Sequence, residues 1–355
     1  MAQPAAATVL LDAHDLPNHR ALLRLVEDGQ PWIEHRVLGQ VRSGQRLLPL
    51  HALLLGNPDP ACPAVGLFGG VHGLERIGSD VVMSFIDSLV QRLRWDRTLQ
   101  DLLQGLRLVV MPMVNPGGLL VGSRSNPAGV DLMRNAPVEA GAGVPWLVGG
   151  HRLSAHLPWY RGPLKAPMQP ESEALCRLVE TELLPRPFTI TVDCHSGFGL
   201  NDRVWFPFAH TARPIEHLPE LHALAEVFDR SLPQHPYVME PQSRQYLTHG
   251  DLWDHLYLAS RQQPDRIFLP LTLEMGSWLW VKKNPRQMFS RDGIFNPLIQ
   301  HRQQRVLRRQ HTLLDFILRA ALSHAQWVPQ GAATRARHHE QALARWYRIP
   351  RSARP

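Results

Sequence analysis

The stretch Gly69-Gly-Val-His-Gly-Leu-Glu-Arg-Ile-Gly78 sets an imidazole, His72, three positions before a carboxylate, Glu75, among four glycines. Imidazole nitrogen and carboxylate oxygen are both zinc donors, and a catalytic zinc site commonly has three protein ligands and one open position. Glycines at 69, 70 and 73 let the backbone bend sharply enough for side chains at i and i+3 to converge. The pair alone also reads as a loop histidine beside a helix-capping glutamate, and without a third donor that simpler reading stands. His195, in Thr191-Val-Asp-Cys-His-Ser-Gly197, is the candidate third donor. The chain holds 19 histidines, so coincidence is a real rival. Placement argues against it: His72 and His195 each follow an apolar run, and ligands of open α/β sheets gather at the carboxyl ends of strands.

Other chemistry-bearing groups stand nearby in the sequence. Arg124, Asp131 and Arg134 fall within Arg124-Ser-Asn-Pro-Ala-Gly-Val-Asp-Leu-Met-Arg134. Beside a zinc ion, one arginine can stabilise a developing oxyanion and another can grip a substrate carboxylate with its planar fork. An aspartate such as Asp131 can fix the tautomer of a ligating histidine. Glu274, in Leu271-Thr-Leu-Glu-Met-Gly276, ends another apolar run. A glutamate there can take a proton from water and pass it to a leaving nitrogen. Taken singly, each of these residues also has an ordinary structural or surface reading.

The surrounding periodicities predict the elements that must position them. Leu47 to Leu55 and Pro63 to Gly69 read as strands, bounded by Gly, Asn and Pro. Ser79 to Leu93 carries an apolar helical stripe, with Ser79 and Asp80 available as caps. Leu106 to Val114 reads as a buried central strand closed by the turn Asn115-Pro-Gly-Gly118. Helices are predicted over 171–184, 217–231, 252–260 and 298–322, and strands over 188–194 and 267–275. Strands alternating with helices imply an α/β sheet covered on both faces. The Gly- and Pro-rich stretch from Ala136 to Pro170 is long for a loop in a compact domain and suggests a wall or lid.

Composition bounds the rest. A 355-residue chain with 44% hydrophobic and 19% charged residues can bury a sizeable core. No apolar run approaches a membrane span, and the N-terminus has no basic region before its short apolar segment. Three cysteines give no disulfide framework, so the expected compartment is the cytoplasm. The formal charge of +7 does not argue for a nucleic-acid partner: six arginines against one glutamate lie from Ser323 onward, so +5 belongs to the tail and +2 to all that precedes it. That tail is expected to be a solvated or oligomer-contacting extension.

In order and context these segments resemble the carboxypeptidase A-type zinc metallopeptidases. The likeness begins near Gly39-Gln-Val-Arg-Ser-Gly-Gln45. It continues through His-Gly-Leu-Glu75, Asn115-Pro-Gly-Gly118, the Arg124 to Asn135 string, Trp159-Tyr-Arg-Gly-Pro163, Cys194-His-Ser-Gly197 and Leu271-Thr-Leu-Glu274. It implies a single α/β domain with a mixed, mostly parallel eight-stranded twisted sheet flanked by helices. The catalytic domain would span residues 36–322, between an N-terminal extension of 1–35 and a basic tail of 323–355. The resemblance implies one zinc ion on His72, Glu75 and His195, with Asp131 behind the first histidine. By the same likeness Glu274 is the general base, Arg124 the oxyanion-polarising arginine, Arg134 the grip on a substrate carboxylate, and Tyr246 the mobile cap. The implied enzyme is a metallocarboxypeptidase whose partner is a peptide with a free carboxylate; no nucleic acid or membrane is expected, and an oligomer is allowed.

Two departures matter. Met133 stands where the family usually has an asparagine beside the carboxylate-gripping arginine. Trp253 precedes Asp254 where related enzymes often place a specificity-determining side chain, so it is expected to fill or line the substrate pocket. The string His-Gly-Leu-Glu also resembles that of the aspartoacylase and succinylglutamate desuccinylase relatives, which keeps a zinc deacylase of N-acyl amino acids as the alternative. A non-catalytic zinc- or peptide-binding module is a third reading.

Overall fold

A computed structural model describes residues 9–10 and 17–347; the remainder of the N-terminal extension and of the basic tail lies outside the described residues. The sheet is built from β1 (Val9–Leu10), β2 (Glu34–Ser43), β3 (Arg46–Gly56), β4 (Ala64–Gly69), β5 (Arg107–Met111), β6 (Phe188–Ser196), β7 (Arg203–Phe206), β8 (Val238–Pro241) and β9 (Ile267–Met275). Eight of these strands have four residues or more, as the family likeness implies, and β1 adds a two-residue strand parallel to β3. The order is β1-β3-β5-β4-β6-β9-β7-β8, with β2 paired to β3. The central pairs β5-β4, β4-β6 and β6-β9 are parallel. Antiparallel pairing joins β2 to β3, β3 to β5 and β7 to β9.

β4 and β6 are buried at every position; β4 is apolar throughout, and β6 sets apolar Phe188, Ile190, Val192 and Cys194 at alternate positions. On one face, Gly69 abuts Gly78 of the helix Arg76–Leu93, and the closing helix Gln300–Leu322 packs beside it. On the other, Gly66 meets Leu183, just past the helix Pro170–Glu182. There too the Phe68 ring meets Trp253 of the helix Leu252–Ser260 edge-on at 5.1 Å. The parallel register aligns Gly69 with Cys194 and His195 with Glu274, so the polar ends of β4, β6 and β9 emerge at one edge. That edge is where such sheets bind ligands. Among the described residues no helix is long and apolar enough to cross a membrane.

Local chemistry moved several predicted boundaries. The helix after β4 starts at Arg76, a turn before Ser79, because Glu75 takes the N-cap position. Asp80 does not cap it; its carboxylate accepts from Asn18 and Gln303, both at 3.0 Å. The turn expected at Asn115 is instead the start of a short helix, Pro116–Val121, where the Asn115 Oδ1 accepts from the Gly118 N–H at 2.8 Å. β2, β7 and β8 carried no clear signal: β2 is partly exposed and mixes polar with apolar residues, and the other two have four residues each.

The arginine-rich segment does not behave as a solvated extension over its described length. Its helix Ala332–Ala342 packs against the helix Leu218–Ser231. Arg335 pairs with buried Glu220 and donates to the Glu216 carbonyl at 2.8 Å, and buried Trp346 donates to the Met239 carbonyl at 2.8 Å. Arg335, and Arg345 paired with Asp229 at 2.9 Å, are therefore spent on contacts within the chain.

The helix Pro17–Asp28 is joined to the sheet by a relay of histidines. His19 Nε2 lies 3.0 Å from His51 Nε2, and His51 Nδ1 lies 2.8 Å from His35 Nε2. Burial, then the neighbouring rings, pushes His51 down to about 4, and burial lowers His19 and His35 too. Above pH 6.5 these rings are neutral whether the chain is folded or not. Below it the unfolded chain takes up protons that the folded chain refuses, so stability falls, for His51 until its folded ring titrates near pH 4. His51 alone should cost about 2–3 kcal/mol across that window. Urea unfolding at both ends of the window should show a smaller loss in His51→Asn; equal losses in both proteins would remove His51 from this account.

Candidate metal centre

His72 and Glu75 occupy a tight turn after β4, closed by the Glu75 N–H donating to the His72 carbonyl at 3.0 Å. Gly70 takes a positive φ of 67°, which favours glycine. Gly73 is needed for a different reason: a Cβ there would collide with the backbone of Gly118. Buried Asn115 ties the two segments together, its Nδ2 donating to the Val71 carbonyl at 3.2 Å.

His195 enters from the end of β6. Its Nδ1 lies 3.2 Å from His72 Nδ1 and 3.1 Å from Glu75 Oε2, while His72 Nδ1 lies 2.9 Å from Glu75 Oε1. Ligand atoms of the three residues all fall within 4.8 Å of one another, and all three side chains are buried. Tetrahedral zinc, with bonds of about 2.0–2.1 Å, holds its donors about 3.3 Å apart. The far nitrogens of both rings face carboxylates: His72 Nε2 lies 3.1 Å from Asp131 Oδ1, and His195 Nε2 lies 2.8 Å from Asp193 Oδ2. With Nε2–H donated outward on each neutral ring, both Nδ1 lone pairs point at each other and at Glu75. Three acceptors converging without a proton between them fit a divalent cation.

The electrostatics agree. Burial alone would raise the Glu75 carboxyl, but the His72 and His195 rings outweigh it and hold it well below the carboxylate range. Burial would likewise lower His195, yet Asp193 and Glu75 hold it well above the ordinary imidazole value. Both directions say that the centre favours added positive charge.

Around it, Arg124 donates to Asp131 at 2.8 Å and to Glu75 at 3.4 Å. Burial opposes its charge, but Asp131 and Glu75 hold its guanidinium above the usual value. Glu274 ends β9 beside His195 and accepts from the Phe198 N–H at 3.1 Å. Burial first, and then Glu75, pushes its carboxyl up to about 8. Arg134 is buried and donates to the carbonyls of Met133 at 3.2 Å and Val148 at 3.4 Å. Gly250, with φ 71°, lies so close to the Arg134 carbonyl that a Cβ there would collide with it. Tyr246 sits with its ring among Phe198 and Trp205, 6.3 Å from each.

His72, Glu75, His195, Arg124, Glu274, Arg134 and Tyr246 all line one cavity of about 570 Å³, while Asp131 lies behind His72 and Arg124. That volume suits a small-molecule or peptide-end ligand. Met133 lines it as well, and the 136–170 stretch supplies Pro145, Val148, Pro158 and Trp159 as one wall. Buried Arg161 braces that wall, with two 2.8 Å bonds to Glu139 and 3.2 Å bonds to the carbonyls of Arg134 and Val138.

Trp253 does not fill or line the cavity. Its indole points behind the centre, packs on Phe68 and donates to Asp193 Oδ2 at 2.9 Å. Asp193 itself went unrecognised in the sequence, although strand alternation puts residues 193 and 195 on one face. Asp193→Asn should weaken zinc binding about 10–100-fold in a chelator competition, because it removes the charge behind His195. Unchanged affinity would remove Asp193 from that role.

Comparison with known proteins adds independent findings. The sequence profile described as zinc carboxypeptidase matches residues 37–285. Mouse carboxypeptidase D is 24% identical over 197 residues, which cover 52% of this chain and 12% of that longer protein. Bovine thrombin-activatable fibrinolysis inhibitor, solved in complex with tick carboxypeptidase inhibitor, superposes with a TM-score of 0.63 at 16% identity, over 86% of this chain and 96% of that one. Carboxypeptidase A from Helicoverpa armigera gives 0.60 at 16% identity, over 86% and 72%.

Proposed function

The chain belongs to the zinc carboxypeptidase family, and from that premise we propose that it removes the C-terminal residue of a peptide substrate, with His72, Glu75 and His195 holding the catalytic ion. The observation that carries this reading is the meeting of a cation-seeking His-Glu-His centre with a buried, proton-accepting Glu274 and a buried Arg134 in one cavity. Zinc at that centre would supply Lewis acidity to the scissile carbonyl and to the attacking water.

The protein groups do the rest. Glu274 takes a proton from the attacking water and returns it to the departing amine. Arg124, already fixed by Asp131, presents its remaining N–H groups to the oxyanion as charge develops there. Arg134 holds the terminal carboxylate, its orientation set by the Met133 and Val148 carbonyls. Tyr246 closes over the bound end.

Met133 favours keeping the deacylase as the second reading, because it brings a thioether to the cavity where the family usually offers an amide. The zinc-loaded protein should be given short peptides with free and with amidated C-termini, and N-acyl amino acids. Turnover of the free-acid peptides with little of the amidated ones is expected. Faster cleavage of N-acyl amino acids would replace the peptidase with the deacylase, and no turnover of any of the three would leave a binding module.

A further inference from the structure

We propose that a second divalent-cation site, formed by His222, Glu226 and His338, fastens the C-terminal helix Ala332–Ala342 to the helix Leu218–Ser231. His222 and Glu226 are four residues apart on one helix, the spacing that puts two side chains on the same face. His338 meets them from the other helix. The three offer donor atoms within 4.8 Å of one another, the same bound as at the catalytic centre.

The geometry of the two histidine pairs is closely alike. His222 and His338 bring their Nδ1 atoms to 3.0 Å, against 3.2 Å for His72 and His195. Their ring centroids are 5.3 Å apart at an interplanar angle of 65°, against 4.9 Å and 63°. Two ring nitrogens this close need either a proton or a cation between them. Glu226 completes the set: Arg230 holds its Oε1 at 3.2 Å, leaving Oε2 3.8 Å from His338 Nδ1.

Both imidazoles are buried, which shields the donor set from bulk water. Arg230, Arg337 and Arg345 add positive charge nearby, but Arg230 is paired with Glu226 and Arg345 with Asp229 at 2.9 Å. A cavity of about 520 Å³ opens on Glu226 and His338 and gives an ion and its water a way in. Two imidazoles and a carboxylate are the donor types of the catalytic site, so zinc is the expected occupant. Its role is mechanical: it cross-links a tail already held by Arg335 and Trp346.

Metal content tests this apart from any peptidase activity. Protein dialysed against micromolar zinc should carry two equivalents per chain, falling to one in His338→Gln and to one in His72→Gln. Hydrolytic activity should survive in His338→Gln alone. Zinc should also raise the unfolding temperature of His72→Gln, and lose that effect when His338→Gln is added. If His338→Gln loosens the tail, Glu226→Gln should still lower affinity at this site tenfold or more. A single equivalent in the wild-type protein, lost entirely in His72→Gln, would show a plain histidine–histidine hydrogen bond and overturn the site while leaving the proposed peptidase intact.

Discussion

Glu274→Gln should lower kcat by about three to four orders of magnitude while zinc content stays at the wild-type level. The substitution keeps the shape of the side chain and the Phe198 N–H as a neighbour, but it removes the atom that accepts the proton. The pH profile adds a sharper reading. Burial and Glu75 push the carboxyl up to about 8, and a cation at the centre offsets Glu75 and draws it down from there. Only the carboxylate form can act as base, so kcat/KM should rise with pH through that titration. In Glu274→Gln this limb should vanish from whatever activity is left. Near-normal rates with metal bound would remove Glu274 from the chemistry.

Arg134→Ala should raise KM for free-acid substrates about 100-fold or more with a smaller change in kcat. Truncating one partner of a buried charge pair typically costs about 2–5 kcal/mol. The guanidinium also offsets the carboxylate of Asp251, which burial and Asp254 push up to about 7. Some loss of stability is therefore expected, and Arg134→Lys supplies the control by restoring the charge without the fork. Amidated peptides discriminate further, because they lack the group Arg134 would hold. Their KM should be the same in both proteins. An unchanged KM for free-acid peptides would take Arg134 out of the binding site.

What the sequence made legible follows from the kind of signal each part leaves. β4, β6 and β9 are buried on both faces, β4 and β9 as largely apolar runs and β6 with an apolar residue at every second position, so their ends and the chemistry on them could be read directly. β2, partly exposed, and the four-residue β7 and β8 leave no periodicity long enough to register. His72, Glu75 and His195 were visible through spacing and placement, and the structure brings them together. Asp193 and the true direction of Trp253 were not, because each depends on which way a side chain leaves its element. The packing of the tail was hidden by its composition: a helix rich in arginine reads as solvated until Glu220 and the Glu216 carbonyl are placed opposite Arg335.

The wall between residues 136 and 170 carries a consequence of its own. It holds no helix or strand beyond an isolated bridge between His151 and Tyr160, and the buried guanidinium of Arg161 braces it. The candidate metal donors, by contrast, sit at the ends of the buried strands β4 and β6, His72 and Glu75 in the turn that follows β4. Under the proposed function, selectivity would be written in this irregular wall and reactivity at the strand ends, in separate parts of the molecule. Descendants of this chain could acquire new diets by rewriting the rim, and they would keep the same engine.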